Sequence, residues 1–212
     1  MPPSREPALR FVSGRLALDF VNIFARCQES AVLPVTSDLS WEQLVAFLES
    51  ARIVTPERGT ELLALHRSDP QSAEALLHKA QRLGWALRST FEAVLHRQKI
   101  LPEWVEPIND ILRITEGHDK LASTNHGWEI AFVAREDGLE WLLAAVARSA
   151  AEIIAEGARA PLRLCANPRC GLFFYDTSRT HRRRWCSMTA CGNRHKVAAF
   201  ARRHAAARHA RP

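Results

Sequence analysis

The feature that most constrains this chain of 212 residues is the spacing of four of its five cysteines. They follow the pattern C-x4-C-x15-C-x4-C and are Cys165, Cys170, Cys186 and Cys191. Two close pairs separated by the length of a hairpin allow one chain to surround a tetrahedral Zn²⁺ with thiolates. The alternatives are two disulfides or four unrelated core thiols, but unrelated thiols would not form two equally spaced pairs. The N-terminal residues lack the apolar segment of an export signal, so we expect a reducing cytoplasm, where paired cysteines more often hold a metal.

The residues around the cysteines predict how this module folds. The segment LFFYD, which follows Cys170, has the composition of a β-strand. Thr177–Thr180 is expected to form a turn, and Arg182–Trp185 to return as a second strand. Ser187 is a candidate N-cap that would place Cys191 near the start of a helix. We therefore expect a treble-clef-like finger with one structural zinc, because four thiolates leave no open coordination position for a substrate.

Two motifs resemble a known family. Cys191-Gly192-Asn193-Arg194, within RRRWCSMTACGNRHK, resembles the signature of the bacterial CGNR zinc-finger family. The segment GRLALDFVN at Gly14–Asn22 resembles the ABATE-type domain that usually precedes this finger. The resemblance implies an ABATE-like helical domain in residues 1–157, for ligand sensing or assembly, and a finger with a basic C-terminal helix in residues 162–212. It also implies a stress-related transcription regulator with a DNA-binding finger.

The charge of the chain is distributed unevenly. From Arg163 to Pro212, twelve Lys and Arg residues accompany one acid, Asp176, for a balance of +11, whereas the remaining seventeen basic and twenty-two acidic residues give −5. A basic segment behind a mildly acidic body is typical of a nucleic-acid contact surface. A solvated tail or a membrane-surface helix is the alternative, although neither would require a zinc module. No apolar stretch approaches the roughly 20 residues of a membrane span, so none is expected.

The cations of the finger are the candidate contacts to double-stranded DNA. On an alternating strand Arg182 and Arg184 share one face, and either is a candidate to read bases. Arg194 is open to two interpretations, as a support of the finger or as a DNA contact, and Asn193 either pins the local turn or reads a base. The helix after it should carry its cations on one arc and pack its apolar residues, Val197, Phe200 and Ala201, on the hairpin. The full set of candidate DNA-binding residues is Arg179, Arg182, Arg183, Arg184, Arg194, Lys196, Arg202 and Arg203.

The body of the chain is predicted to be helical. Helix starts are marked by the capping box Ser40-Trp-Glu-Gln43, by Thr55-Pro56 and Asp69-Pro70, and by Pro102. The sequence LAST-NHG-WEIAFVA predicts a hairpin before a final helix, Leu139–Glu156. The expected fold class is therefore mainly α (α+β), a helical N-terminal domain with a small β-hairpin followed by the zinc finger. The segment from Pro7 to about Gly157 is expected to fold alone.

Asp19 and Asn22 stand out because they lie among apolar residues of the first predicted helix. They either line a pocket for a small-molecule ligand or bind neighbouring backbone groups, which is the commoner role. No histidine falls in an HExxH pattern and no glycine-rich phosphate loop is present, so we expect no enzyme. The predicted function is a DNA-binding transcription regulator. RNA binding, a zinc-stabilised adaptor for an acidic protein, and an enzyme in the N-terminal domain are the alternatives.

Overall fold

The computed structural model describes residues 11–24, 39–114, 117–124, 127–134, 138–198 and 200–201. The body consists of α1 (Leu16–Ile23), α2 (Trp41–Ser50), α3 (Pro56–Ser68), α4 (Pro70–Leu95), α5 (Pro102–Ile114), β1 (Gly117–Thr124), β2 (Gly127–Ala134) and α6 (Ala144–Glu156). The C-terminal segment contains β3 (Leu162–Leu164), β4 (Phe173–Tyr175), a π-helical turn (Met188–Gly192) and α7, which covers residues 193–198 and 200–201. The predicted fold class is confirmed.

Local capping begins the helices of the body where the sequence predicts. The Ser40 hydroxyl accepts the Gln43 N–H at 3.2 Å, and the Gln43 side chain accepts the Ser40 N–H at 3.1 Å. Thr55 and Asp69 each accept an N–H group from the first turn of the helix that follows, and a proline comes next in both cases. These side chains satisfy N–H groups that have no partner inside the helix.

The long helix α4 organises the core of the body. It contacts α1, α2, α3, α5 and α6, and its buried face includes Leu83, Leu87 and Phe91. Gly84 allows α1 to approach closely, because a Cβ atom at this position would lie 2.4 Å from the ring of Phe24. The buried residues of α4 recur along its length and form one continuous apolar face.

The hairpin predicted in the middle of the chain is also confirmed. β1 and β2 are antiparallel, with Leu121 opposite Ile130 and Thr124 opposite Gly127.

Among the helices that the structure describes, none has the length and apolar character needed to span a membrane.

The C-terminal hairpin differs from the predicted one. β4 pairs with β3, so the first two cysteines lie in the loop of this hairpin. The predicted returning strand Arg182–Trp185 is wrong, because these residues form no strand. The physical reason is that β4 offers no open edge. One edge is bonded to β3, and on the other edge the Tyr175 N–H donates to the Ser13 carbonyl of the body at 2.6 Å.

β4 divides its aromatic side chains between two cores, as alternation along a strand requires. Phe173 and Tyr175 belong to the main core, together with Leu162 of β3. Phe174 belongs to a separate cluster that contains the four cysteines of the finger. The finger is therefore packed directly on the body through one face of its hairpin.

Candidate metal centre and nucleic-acid interface

The four cysteines converge from three segments of the finger. Cys165 and Cys170 lie in the β3–β4 loop, Cys186 follows an irregular segment, and Cys191 lies in the π-helical turn. All four are buried, and their sulfur atoms lie within 4.8 Å of one another. This convergence excludes the interpretation of four unrelated thiols.

The separations between the sulfur atoms match a tetrahedral metal site. Four thiolates about 2.3 Å from one Zn²⁺ would lie about 3.8 Å from each other. The Sγ–Sγ distance is 3.7 Å between Cys170 and Cys186 and 3.8 Å between Cys186 and Cys191. A disulfide requires about 2.05 Å, so neither pair is bonded. The donor set fits one structural zinc held by all four cysteines.

The electrostatics of the thiols favour a bound dication. Contact with Cys170 and Cys186 lowers the pKa of Cys165 to about 2, whereas the contact with Cys165 raises the pKa of Cys186 to about 12. One negative charge is stabilised by the neighbouring S–H groups, and a second is opposed by the first. A zinc ion removes this conflict because it stabilises four thiolates together.

Short contacts hold the loops that carry the cysteines. The Ser187 hydroxyl accepts the Ala190 N–H at 3.4 Å, which confirms the predicted cap. The side-chain amide of Asn167 donates to Cys191 Sγ at 3.4 Å. Gly192 leaves room for its neighbours, because a Cβ atom there would lie 2.8 Å from the sulfur of Met188.

Arg183 is held inside the finger rather than extended from it. Its guanidinium donates to the Cys186 carbonyl at 2.7 Å and lies 4.9 Å from the ring centroid of Phe174. The backbone N–H of Arg183 donates to the carboxylate of Asp176 at 2.8 Å. Arg183 therefore supports the segment that carries Cys186, and its predicted contact with DNA stays a prediction.

Asp176 fixes the loop on which the other arginines lie. Its fully buried carboxylate accepts two hydrogen bonds from Ser178 and forms an ion pair with Arg163 at 3.3 Å. Burial raises the pKa of Asp176, but the hydrogen bonds from Ser178 and Arg183 and the charge of Arg163 outweigh it, and the pKa lies below its ordinary value. The only acid among residues 162–201 is thus used internally.

The remaining predicted cations of the finger lie on its surface. Those that the structure describes are Arg179, Arg182, Arg184, Arg194 and Lys196, and all five are exposed. Within the described residues none of them forms an ion pair. Arg202 and Arg203 lie outside the described residues. Sequence reasoning missed the exposed Arg169, although its position between the first two cysteines places it on the finger.

The expected packing of α7 on the hairpin is wrong. Val197 is 68% exposed and Phe200 is 57% exposed, whereas His195 contacts Trp185 with ring centroids 4.7 Å apart. The small core of the finger is already filled by Phe174 and the cysteines, so the hairpin offers no second apolar face to the helix.

A shallow depression of about 420 Å³ lies where the π-helical turn meets α7. It is lined by Thr189, Ala190, Asn193, Arg194 and Val197. The Arg194 guanidinium makes no hydrogen bond or ion pair with the described residues, and neither does the Asn193 side-chain amide. The choice between a DNA contact and a supporting role stays a prediction for both residues.

The side chains of Asp19 and Asn22 both bind backbone groups. The Asp19 carboxylate accepts the N–H groups of Val12 and Ser13, each at 3.1 Å, and burial raises the pKa of Asp19. The Asn22 amide donates to the Phe173 carbonyl and accepts the Phe173 N–H, each at 2.9 Å. The backbone-binding interpretation is confirmed for both residues, and Asn22 binds a strand 151 residues away.

Further contacts join the finger to the body. Tyr175 donates to Glu156, and the Arg15 guanidinium lies 4.5 Å from the Tyr175 ring centroid. Arg88 and Phe91 of α4 both contact the ring of Phe173, with centroid distances of 5.3 and 6.2 Å. The five-residue linker Gly157–Pro161 predicts from the sequence alone that the two parts dock, but it does not identify the residues in contact.

The comparisons with known proteins agree with this architecture. Residues 162–204 match the CGNR zinc finger. Residues 14–157 match the ABATE family, whose description is "Putative stress-induced transcription regulator". Neither description is that of an enzyme family. Among curated proteins no match to the chain is found. The match to ABATE spans well over half of the chain, and the chain therefore belongs to the ABATE family, with a CGNR zinc finger at its C-terminal end.

Proposed function

We propose that this chain regulates transcription by binding duplex DNA through its zinc finger. The observation that carries the proposal is the charge of the finger surface. Residues 162–201 contain eight Lys and Arg residues and one acid, Asp176, which is fully buried and paired with Arg163. Every other ionised side chain available to a partner is cationic, as a phosphate-binding surface requires.

The exposed arginines of the loop supply phosphate contacts in this proposal. Arg179, Arg182 and Arg184 lie in a segment that Asp176 and Arg183 hold in place through internal bonds. Because the zinc site fixes the same segment at Cys186, the cations are presented on a rigid frame. Zinc is structural here, and its chemistry is to hold four thiolates together rather than to activate a substrate.

The N-terminal domain, residues 1–157, has the sensing or assembly role in this proposal. Its former ligand candidates, Asp19 and Asn22, are engaged with backbone, so a small-molecule partner would bind elsewhere. No enzymatic step is proposed for it. We place the chain in the cytoplasm, because a thiolate zinc site persists in a reducing compartment.

The experiment that tests this function is competition binding with the purified full chain loaded with zinc. A labelled duplex DNA would be competed with unlabelled duplex DNA, structured RNA and single strands at several salt concentrations. We expect duplex DNA to compete best, with log K falling against log salt at a slope of roughly −4 to −6, which corresponds to about five to seven phosphates.

The matched control is Arg67→Ala, which removes an exposed arginine of α3 far from the finger in sequence. It should leave affinity and slope unchanged, whereas Arg179→Ala should weaken binding to all sequences and reduce the slope by about one. Preferential competition by RNA, or binding that Arg179→Ala leaves intact, would contradict the proposal. If the chain binds an acidic protein and has no affinity for nucleic acid, the adaptor function is favoured instead.

A further inference from the structure

The surface of α7 is unusual for a helix in a folded protein. Residues 193–198 are all exposed. Six consecutive residues at about 100° each cover more than a full turn, so no side of this segment is buried. A helix normally buries an apolar stripe against the rest of the protein. Apart from the contact of His195 with Trp185, residues 193–198 of α7 therefore present their surface to a partner.

The helix has a fixed base and a mixed surface. Trp185 packs against His195, and Cys191 anchors the turn that leads into α7, so the zinc site determines the direction of the helix. The exposed Val197 and Phe200 lie on the same helix as Arg194 and Lys196. No acid accompanies them, so the complementary partner is negatively charged and also offers apolar contacts.

The depression at the start of α7 favours base edges over phosphates alone. A phosphate surface needs cations, whereas this depression combines a guanidinium, an amide, a hydroxyl and the methyl groups of Val197. Arginine pairs with the O6 and N7 of guanine, asparagine pairs with the N6 and N7 of adenine, and methyl groups contact the thymine methyl. An α-helix is about 10–12 Å in diameter, and the major groove of B-DNA is about 12 Å wide.

Resting on the proposed function, we propose that α7 enters the major groove of duplex DNA. Asn193 and Arg194 contact base edges there, and Val197 contacts a pyrimidine methyl group. The loop arginines, including Arg182 and Arg184, contact the flanking phosphates and carry no sequence preference. This assignment replaces Arg182 and Arg184 as base readers, because they lie in an irregular loop rather than on the helix. Arg184 lies 5.3 Å from the ring centroid of Trp185, the residue that contacts His195 of α7.

The test begins with in vitro selection of duplexes bound by the zinc-loaded full chain. Affinities of variants for the selected duplex and for a scrambled duplex are then compared. Arg194→Ala should lose about 5- to 150-fold on the selected duplex and little on the scrambled one, with the salt slope nearly unchanged. Arg182→Ala should weaken both duplexes by the same factor and lower the slope by about one.

Two further measurements separate a base contact from a charge contact. Arg194→Lys keeps the charge but loses the two-point contact to guanine, so it should retain the affinity for the scrambled duplex and lose the preference. Replacement of the contacted guanine by 7-deazaguanine removes the N7 acceptor. It should weaken the wild type and leave Arg194→Ala unaffected.

The outcomes separate this inference from the proposed function. Zinc content and circular dichroism verify that each variant is folded, which is expected because Arg194 is exposed. Loss of preference in Arg182→Ala but not in Arg194→Ala would overturn the role of α7 while leaving DNA binding intact. If replacement of guanine by 7-deazaguanine does not change the sequence preference of the wild type, the contact lies outside the major groove. Absence of any duplex affinity would instead overturn the proposed function.

Discussion

The side-chain amide of Asn22 forms hydrogen bonds with both backbone polar groups of Phe173, each at 2.9 Å. A neighbouring β-strand would make the same pair of bonds, so one side chain of the body substitutes for a strand at the edge of β4. The Ser13 carbonyl extends this edge by accepting the N–H of Tyr175. The finger and the body therefore share backbone hydrogen bonding as well as a core.

Asn22→Leu should destabilise the chain by about 1–3 kcal/mol. Leucine has a similar volume but leaves the N–H and carbonyl of Phe173 unpaired in a buried position, which carries the full desolvation penalty of those groups. Urea denaturation of the zinc-loaded chain measures the change. The control is Gln71→Leu, which replaces an exposed amide of α4 and should change the free energy of unfolding by less than about 0.5 kcal/mol. Equal stabilities for both variants would contradict the role of Asn22.

A chain truncated after Gly157 should be less stable than the full chain. The truncation removes Leu162, Phe173 and Tyr175 from the main core, and loss of one buried phenylalanine side chain alone costs about 3–5 kcal/mol. This expectation replaces independent folding of the N-terminal segment, and we propose that residues 162–212 contribute to the stability of residues 1–157. Denaturant midpoints of the truncated and full chains test it. If the two midpoints coincide, the N-terminal segment folds independently of the finger.

The sequence predicted what local interactions determine. The helix starts at Ser40, Thr55 and Asp69 depend on groups within three residues, and the cysteine spacing alone indicated the metal site. Those predictions succeeded because the partners are close in the sequence.

The features that the sequence did not predict depend on distant partners. The contact between Asn22 and Phe173 spans 151 residues, and it takes the strand edge that Arg182–Trp185 was expected to use. The orientation of α7 follows from the contact between Trp185 and His195. Periodicity identified two faces of this helix but could not say which face would meet the small core of the finger.

Removal of zinc should unfold the finger and weaken the body. Elemental analysis should find one zinc per chain, and Cys186→Ser should lower this ratio because it removes one of four closed ligands. Hydrogen exchange should then rise in β3, β4 and residues 182–192, and to a smaller extent in α1, which is bonded to β4. The control is Cys27→Ser, which should retain the zinc. A chain that holds no metal under reducing conditions would contradict the site.

The pH dependence of stability should reveal the buried carboxyl of Asp19. Burial raises the pKa of Asp19 in the folded chain, so protonation of Asp19 favours the folded state. This stabilisation is complete below the unfolded pKa of about 3.9 and is lost as the pH rises through the pKa of the folded chain. The free energy of unfolding of the wild type, relative to Asp19→Asn, should therefore increase as the pH is lowered from about 6 toward about 4. Urea denaturation across this range measures the difference.

Asp69 gives the opposite case for comparison. Hydrogen bonds from Ser72 lower its pKa, so its contribution is present above the unfolded pKa and is lost as the pH falls through the folded value. As the pH falls, the free energy of unfolding of the wild type should decrease relative to that of Asp69→Asn. Relative to that of Asp19→Asn, it should increase. The same direction for both pairs would show that burial does not govern Asp19.

The neighbours Arg182 and Arg183 should separate support of the zinc site from contact with DNA. Arg183→Ala removes a hydrogen bond to the Cys186 carbonyl and a contact with Phe174, and should cost about 1–3 kcal/mol of stability and speed zinc loss to a chelator. Its DNA affinity per folded molecule should remain close to that of the wild type.

Arg182→Ala should have the reverse effects, because Arg182 is exposed and forms no ion pair within the described part of the chain. Its stability and zinc retention should be unchanged, whereas affinity for every duplex should fall and the salt slope should decrease by about one. Chelator kinetics and binding titrations on the same preparations measure both properties. If Arg183→Ala weakens DNA binding with normal zinc retention, its guanidinium leaves the Cys186 carbonyl to contact phosphate, and the division between the two arginines is wrong.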